Sequence, residues 1–166
     1  MEKQPINIVW LKRDLRTQDH TPLYEAEQSG LPYLIVFLFE PFIYQYPDTS
    51  LRHLQFQYHS LNVINETLSA YQKKVMACHA EAIDMFRHFA TNYSIQSVFS
   101  YRESGIALTY ERDKLLQKYF KEQKIEWKEF QRDGILRGIK DRIHWDRQWF
   151  SFMPVSYTHL TLPTIL

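Results

Sequence analysis

Glycine is scarce, with four residues in a chain of 166. Loops that bring backbone N–H groups onto a pyrophosphate need glycine for the close approach. No G-x-G-x-x-G follows an apolar run, no phosphate loop of the G-x-x-x-x-G-K type is present, and no G-x-S-x-G builds a nucleophile elbow. Dinucleotide binding of the usual kind and serine-hydrolase chemistry are left without support. The one cysteine, Cys78, excludes an internal disulfide and a Cys/His zinc pattern. It fits a reducing, cytoplasmic setting, and at the end of an apolar run it reads as a buried, inert thiol. No apolar run approaches the ~20 residues that cross a bilayer. The opening residues Met1 to Pro5 have no apolar stretch behind them of the kind a secretory signal carries. The formal net charge is +1, which gives no global electrostatic argument for nucleic acid. Internal repeats and low-complexity tracts are absent from the sequence.

What is present is an alternation of short apolar runs with amphipathic stretches. Ile6 to Leu11, Leu34 to Phe39, Val75 to Cys78, Ile95 to Phe99 and Ile125 to Phe130 read as strands. The second is apolar at every position, as in a parallel sheet covered on both faces. The fifth alternates with Glu126, Lys128 and Glu129, which suggests an edge. Between them, helices are expected at about 23–28, 50–72, 80–92 and 107–122, with 42–49 as loop. The second of these carries a stripe of Leu51, Leu54, Tyr58, Leu61, Ile64, Leu68 and Tyr71. Leu115, Leu116, Tyr119 and Phe120 are expected to face inward from the last, and Glu111 to pair with Lys114 on its surface. His53 and His59 read as rim histidines rather than metal ligands. The alternation predicts an α/β domain with a doubly wound, five-stranded, mostly parallel sheet and helices on both faces.

Function is expected where the first strand ends. Lys12-Arg13-Asp14-Leu15-Arg16 is a charged corner, with Asp19 close behind and Pro22 opening a helix. In open α/β sheets the ligand crevice lies beyond the carboxyl ends of the strands. Taken alone, the two arginines and two aspartates of this corner can satisfy one another as a self-paired ionic turn.

Past residue 131 the scheme changes. Gln131 to Met153 is basic and aromatic, with Arg132, Arg137, Lys140, Arg142 and Arg147 beside Trp145, Trp149, Phe150 and Phe152, and it has no clear period. Basic residues interleaved with aromatics can bind nucleic acid. An interdomain connector is the plainer reading. The tail Val155 to Leu166 carries no charge and looks like an adapter sequence translated in frame, so it is set apart from the fold. The expected division is 1–131 for the α/β domain, 132–154 for the connector and 155–166 for the non-native tail.

The run Trp10 to Leu23, WLKRDLRTQDHTPL, resembles the opening of the DNA photolyase/cryptochrome family, where a strand leads into W-F-R-R-D-L-R and a D-N or D-H pair. Ser100 to Gly105 followed by Glu111-Arg112-Asp113 is similar to the family's S-H-x-E-x-G and E-R-D segment. Asp133 to Gly138 with Trp145 and Trp149 is similar to the connector of some bacterial members. The resemblance implies a Rossmann-like N-terminal domain that precedes a helical domain holding FAD and damaged DNA. The complete protein would be a monomeric, light-dependent pyrimidine-dimer lyase or a blue-light receptor. This chain would be its truncated antenna half, with no catalytic residue, no metal and no repair activity of its own. The family's first domain can hold an antenna chromophore. Leu108-Thr109 stands where folate-binding members have Asn-Glu, which speaks against folate and leaves a flavin- or lumazine-type ring. Arg13, Asp14, Glu40, Tyr44 and Glu103 are the candidate residues for it. The rival readings are a stand-alone nucleotide-binding or stress-type module without catalysis, and a chain that lacks independent stability.

Overall fold

The computed structural model describes residues 3–132 and 141–152. The chain divides into two units, Met1–Phe130 and Gln131–Leu166.

In the first unit the strands are β1 (Pro5–Leu11), β2 (Tyr33–Phe39), β3 (Val75–His79), β4 (Ser94–Tyr101) and β5 (Glu126–Phe130). The helices are α1 (Thr21–Gln28), α2 (Pro41–Tyr44), α3 (Leu51–Ser69), α4 (Ala82–Asn92) and α5 (Ala107–Glu122). All strand pairs described are parallel, in the order β3-β2-β1-β4-β5. β1 is central and buried from Ile6 onward. Its period-2 alternation sends Ile6, Ile8 and Trp10 to one face and Val9 and Leu11 to the other. The first face packs on Phe86 and Phe89 of α4 and Leu116 and Phe120 of α5. The second packs on Ala26 of α1 and Leu61, Ile64 and Leu68 of α3. Two covered faces explain why the inner strands read as continuous apolar runs. The sheet is doubly wound, as expected, and β5 lies at an edge.

One polar side chain sits deep in this core. The β1–β4 register shifts between Ile6 and Asn7. There Asn7 Oδ1 accepts from Ser97 N–H at 3.1 Å, and its Nδ2 donates to Ser29 Oγ at 2.9 Å. The side chain thus satisfies backbone that the irregular ladder leaves open.

Several expectations need correction. The stretch 42–49 is not all loop, because Pro41 starts the short helix α2. α3 stops at Ser69, and Gln72 takes a left-handed φ of 55°. Of the expected stripe, Leu51 and Tyr58 are exposed because Leu61, Ile64 and Leu68 are the α3 residues packed on the sheet, and Tyr71 is exposed because it lies past the helix end. Leu115 points outward, while Glu111 and Lys114 pair at 3.0 Å as expected. Cys78 is half-buried rather than buried, and its desolvation pushes the thiol pKa up.

In the second unit, Trp145–Phe152 forms a helix, α6, where no period had been read. Trp145 and Trp149, one turn apart, approach to 6.3 Å. The segment Asp133 to Gly138, with Arg137 and Lys140, and the tail Val155 to Leu166 lie outside the described residues. Among the described residues, no helix is long and apolar enough to cross a membrane.

Candidate functional site

The strand order reverses between β1 and β4, so the loops leaving these strands diverge and a crevice opens at their C-terminal ends. A cleft of about 500 Å³ lies there. Its walls include Leu15, Ile43, Tyr44, Tyr46, Phe56 and Ile106, and its floor carries Arg13, Glu40, Glu103 and Arg112.

Arg112 is the hub. The second turn of α5 points it under the sheet end, where it is 9% exposed. Nη1 donates to Glu40 Oε1 and Nη2 to Glu103 Oε2, each at 2.6 Å. Nε and Nη2 both reach Asp113 Oδ1, at 3.0 and 2.8 Å. Burial opposes its charge, but the carboxylates of Glu40, Asp113 and Glu103 outweigh that and push its pKa above the ordinary arginine value. Arg13, half-exposed, donates from Nε to the other oxygen of Glu103 at 2.9 Å.

Lys12 is buried beside this group. Its Nζ lies 3.2 Å from Asp113 Oδ2 and 3.8 Å from Glu129 Oε1, over the rings of Trp10 and Trp127 at 4.5 and 4.9 Å. Desolvation lowers its pKa against the pull of Asp113. Arg112 also lies over Trp10, 4.8 Å from the ring centroid. Three cations, Lys12, Arg13 and Arg112, thus face four carboxylates, Glu40, Glu103, Asp113 and Glu129. Glu40 carries the effect of burial. Burial pushes its pKa up to about 7 although Arg112 pulls the other way. Its Oε2 is buried and has no hydrogen-bond partner among the described residues. Tyr44, above it on α2, donates to Gln57 Oε1 at 2.7 Å, and burial with the neighbouring Glu40 raises its pKa to about 12.

The structure gathers Arg13, Glu40, Tyr44 and Glu103 around the cleft. Asp14 does not line it. Asp14 faces the other way, taking Lys12 N–H on Oδ1 at 2.9 Å and His20 Nε2 on Oδ2 at 2.6 Å. His20 in turn caps α1, its Nδ1 accepting from Leu23 N–H at 3.2 Å. That bond fixes the tautomer, leaving Nε2 to carry the proton toward Asp14. Asp14 is therefore the clamp that sets the corner's path.

The corner is not a self-paired ionic turn. Among the described residues, Arg13 pairs with Glu103, Asp14 with His20, and Arg16 lies over the Tyr101 ring at 5.7 Å. Asp19, at a left-handed φ of 47°, accepts from Tyr101 Oη through its backbone carbonyl. The sheet end brings fixed, desolvated partners within reach, and these win over exposed neighbours in sequence.

Gly105 belongs to the same site. A Cβ there would overlap Thr109 Oγ1 and lie 2.9 Å from Glu103 Oε1. Gly105→Ala is therefore expected to push Glu103 Oε1 off Arg13 and cost about 1–3 kcal/mol. Urea unfolding measures this, and an unchanged midpoint contradicts it. His53 caps the backbone N–H of Ser50 at 3.3 Å and is exposed, which places it at the rim. A wider groove of about 770 Å³ runs along α1 toward the end of α3. Its Glu27, Tyr33 and Lys73 satisfy one another near the surface, so the charge unbalanced by burial lies in the smaller cleft.

Residues 7–139 match the DNA photolyase family model. No curated protein matches the chain. Among solved structures it is similar to a cryptochrome from Synechocystis, with a TM-score of 0.71 at 22% identity over 79% of this chain and 28% of that one. It is similar to an archaeal photolyase from Sulfolobus tokodaii, described with two FAD molecules, with a TM-score of 0.70 at 21% identity over 88% of this chain and 35% of that one. A class III photolyase from Agrobacterium tumefaciens gives a TM-score of 0.65 at 20% identity, over 79% and 26% of the two chains. The chain thus spans about a quarter to a third of the length of these structures. The parallel sheet, the charged corner after β1 and the Glu103–Arg112 clamp accompany a family match over residues 7–139, and the chain belongs to the DNA photolyase family.

Proposed function

We propose that this domain is the light-gathering half of a photolyase- or cryptochrome-type protein, and that its cleft holds a flavin- or lumazine-type ring. The observation that carries the reading is the cleft itself, about 500 Å³ at the switch point, with apolar walls and Glu40 Oε2 left unpartnered on its floor. Apolar walls with a few convergent polar groups suit a planar heteroaromatic ring. Tyr44 and Phe56 would flank it, and Arg13, Glu40 and Glu103 would meet its polar edge, with Asp14 holding the corner in place. A ring bound here would absorb near-UV or blue light and pass the excitation to FAD in a helical domain of the complete protein. There the energy would serve repair of pyrimidine dimers or blue-light sensing, in the cytoplasm. The light-harvesting cofactor named for the Sulfolobus tokodaii photolyase supports the same assignment by analogy.

Two alternatives fit less well. The floor's cations, Arg13 and Arg112, are already paired with Glu103 and Glu40, which leaves neither free to hold a polyphosphate and weighs against a nucleotide-binding module. For folate, Thr109 is buried and spends its hydroxyl on Ile106 O at 3.0 Å, and Leu108 offers no polar group. The test is a fluorescence titration of the chain with riboflavin, a ribityl-lumazine, a reduced folate and ATP. Binding of riboflavin or the lumazine, weakened about tenfold or more by Tyr44→Ala through loss of an aromatic wall, is expected. Preferential binding of ATP or folate overturns the reading.

A further inference from the structure

The cleft contains one polar atom whose needs the protein leaves unmet. Glu40 is 3% exposed. Its Oε1 is held by Arg112 at 2.6 Å, and its Oε2 is buried without a partner among the described residues. A buried acceptor left open costs free energy unless something else fills it. The polar groups around it cannot do so. Arg112 spends its donors on Glu40 Oε1, Glu103 and Asp113, Arg13 is taken by Glu103, and Tyr44 Oη donates to Gln57. The ion-paired charges around it balance, Lys12, Arg13 and Arg112 against Glu103, Asp113 and Glu129, so the carboxylate of Glu40 itself sets the sign at the open oxygen.

Resting on the antenna reading above, we propose that Glu40 selects the ligand: its free Oε2 accepts a hydrogen bond from an imide- or lactam-type N–H on the edge of the bound ring. Rings that present only acceptors or a negative charge at that edge are refused. The open carboxylate oxygen decides between donor and acceptor, because it favours the electropositive edge of a ligand.

A protonation linkage follows. The carboxyl, pushed up to about 7 by burial, is half protonated in the free cleft near neutral pH, and only the ionised form accepts on both oxygens. Binding therefore releases a proton, and affinity rises with pH as the competent fraction grows. The groups facing Glu40 are Lys12 and Arg13 from the corner, Tyr44, Tyr46 and Asp48 from α2 and its loop, and His53 from α3. Glu81 before α4, Glu103 after β4, and Arg112 and Asp113 on α5 complete the set. Of these, His53 is the imidazole lining the same cleft, so its substitution serves as the control.

The experiment uses the full chain, riboflavin and 3-methylriboflavin, which lacks the imide N–H. Riboflavin is expected to bind about tenfold more tightly at roughly pH 8 than at pH 6. The methylated ring should bind at least tenfold more weakly at pH 8, as expected when a buried acceptor loses its donor. Glu40→Gln should flatten the pH profile, and His53→Gln should leave it. Equal binding of the two rings by the unmutated chain overturns the proposal and leaves the antenna reading standing, whether or not either variant folds. So does a flat profile, or one abolished by His53→Gln and kept in Glu40→Gln. If neither ring binds at any pH, both this inference and the antenna reading fail.

Discussion

Arg112→Ala is expected to destabilise the fold by about 3–5 kcal/mol, the cost of stripping one partner from a buried ion pair. Against a total of about 5–15 kcal/mol this leaves a marginal domain. The size follows from what is stranded. Glu40 and Glu103, at 3% and 6% exposure, lose a guanidinium at 2.6 Å each, and Asp113 keeps only Lys12 at 3.2 Å. Lysine should restore only part of the loss, since a single ammonium lacks the planar fork that reaches Glu40 and Glu103 on separate nitrogens. The penalty should also depend on pH. Glu40 already titrates near 7 in the fold against 4.5 as its ordinary value. A carboxyl raised in this way favours the folded state most below its unfolded pKa and loses that contribution as pH rises through the folded one. Removing Arg112, which pulls the Glu40 pKa down, moves the upper limit of that window higher still. The loss measured by urea unfolding should therefore be larger at roughly pH 8 than at pH 5. A penalty below about 1 kcal/mol, the level of an exposed pair, contradicts the account, and so does a penalty with no pH dependence.

In the sequence Arg112 stands out only within the E-R-D resemblance, with no site role implied for it. The fold was legible because the inner strands are covered on both faces and so carry unbroken apolar runs, and because α5 has a sharp start after Gly105 and a sharp end at Glu122. The order of the strands is set by which crossovers fall on which face, and a single sequence does not carry it. The stripe of α3 was overread at both ends: Leu51 is exposed where the helix begins, and Tyr71 because the helix stops at Ser69 and the chain turns at Gln72. Within the site, the ends of β1, β2 and β4 pointed to Arg13, Glu40 and Glu103 by position. Arg112 and Asp113 sit in the run Glu111 to Lys114, which looks like a solvated face. A usable signal existed nonetheless. Thr109, Arg112, Leu116 and Phe120 fall at three- and four-residue steps, and all are buried. An arginine in phase with a buried stripe has to find its partners inside. Asp14 is a different case: its partner, His20, is a helix cap, and nothing in the spacing shows which way the carboxylate turns.

Trp10→Ala is expected to cost about 3–5 kcal/mol as a large aromatic truncated in a core, with Trp10→Phe recovering most of it because a ring remains against Phe86. At 1% exposure the indole meets Phe86 edge-on at 5.3 Å and lies 6.1 Å from Trp127. Packing alone would make this an ordinary core residue. What sets it apart is the alternation of β1. The period of two that puts Ile8 and Trp10 on one face brings Lys12, the next position in phase, to the same side just past the strand end. Its ammonium and the Arg112 guanidinium both lie over the indole, at 4.5 and 4.8 Å, where the ring's negative face helps to hold two like charges that burial has stripped of water. Core and site therefore share an aromatic ring, and the two truncations should not add. In a double-mutant cycle with Arg112→Ala, measured by urea unfolding, the combined loss is expected to fall short of the sum by about 1 kcal/mol or more. Once the guanidinium is gone, the ring has one cation fewer to support. Additivity to within about 0.3 kcal/mol would mean that ring and guanidinium act independently, and that the charged end of the sheet is built on α5 and the loops without help from the core beneath it.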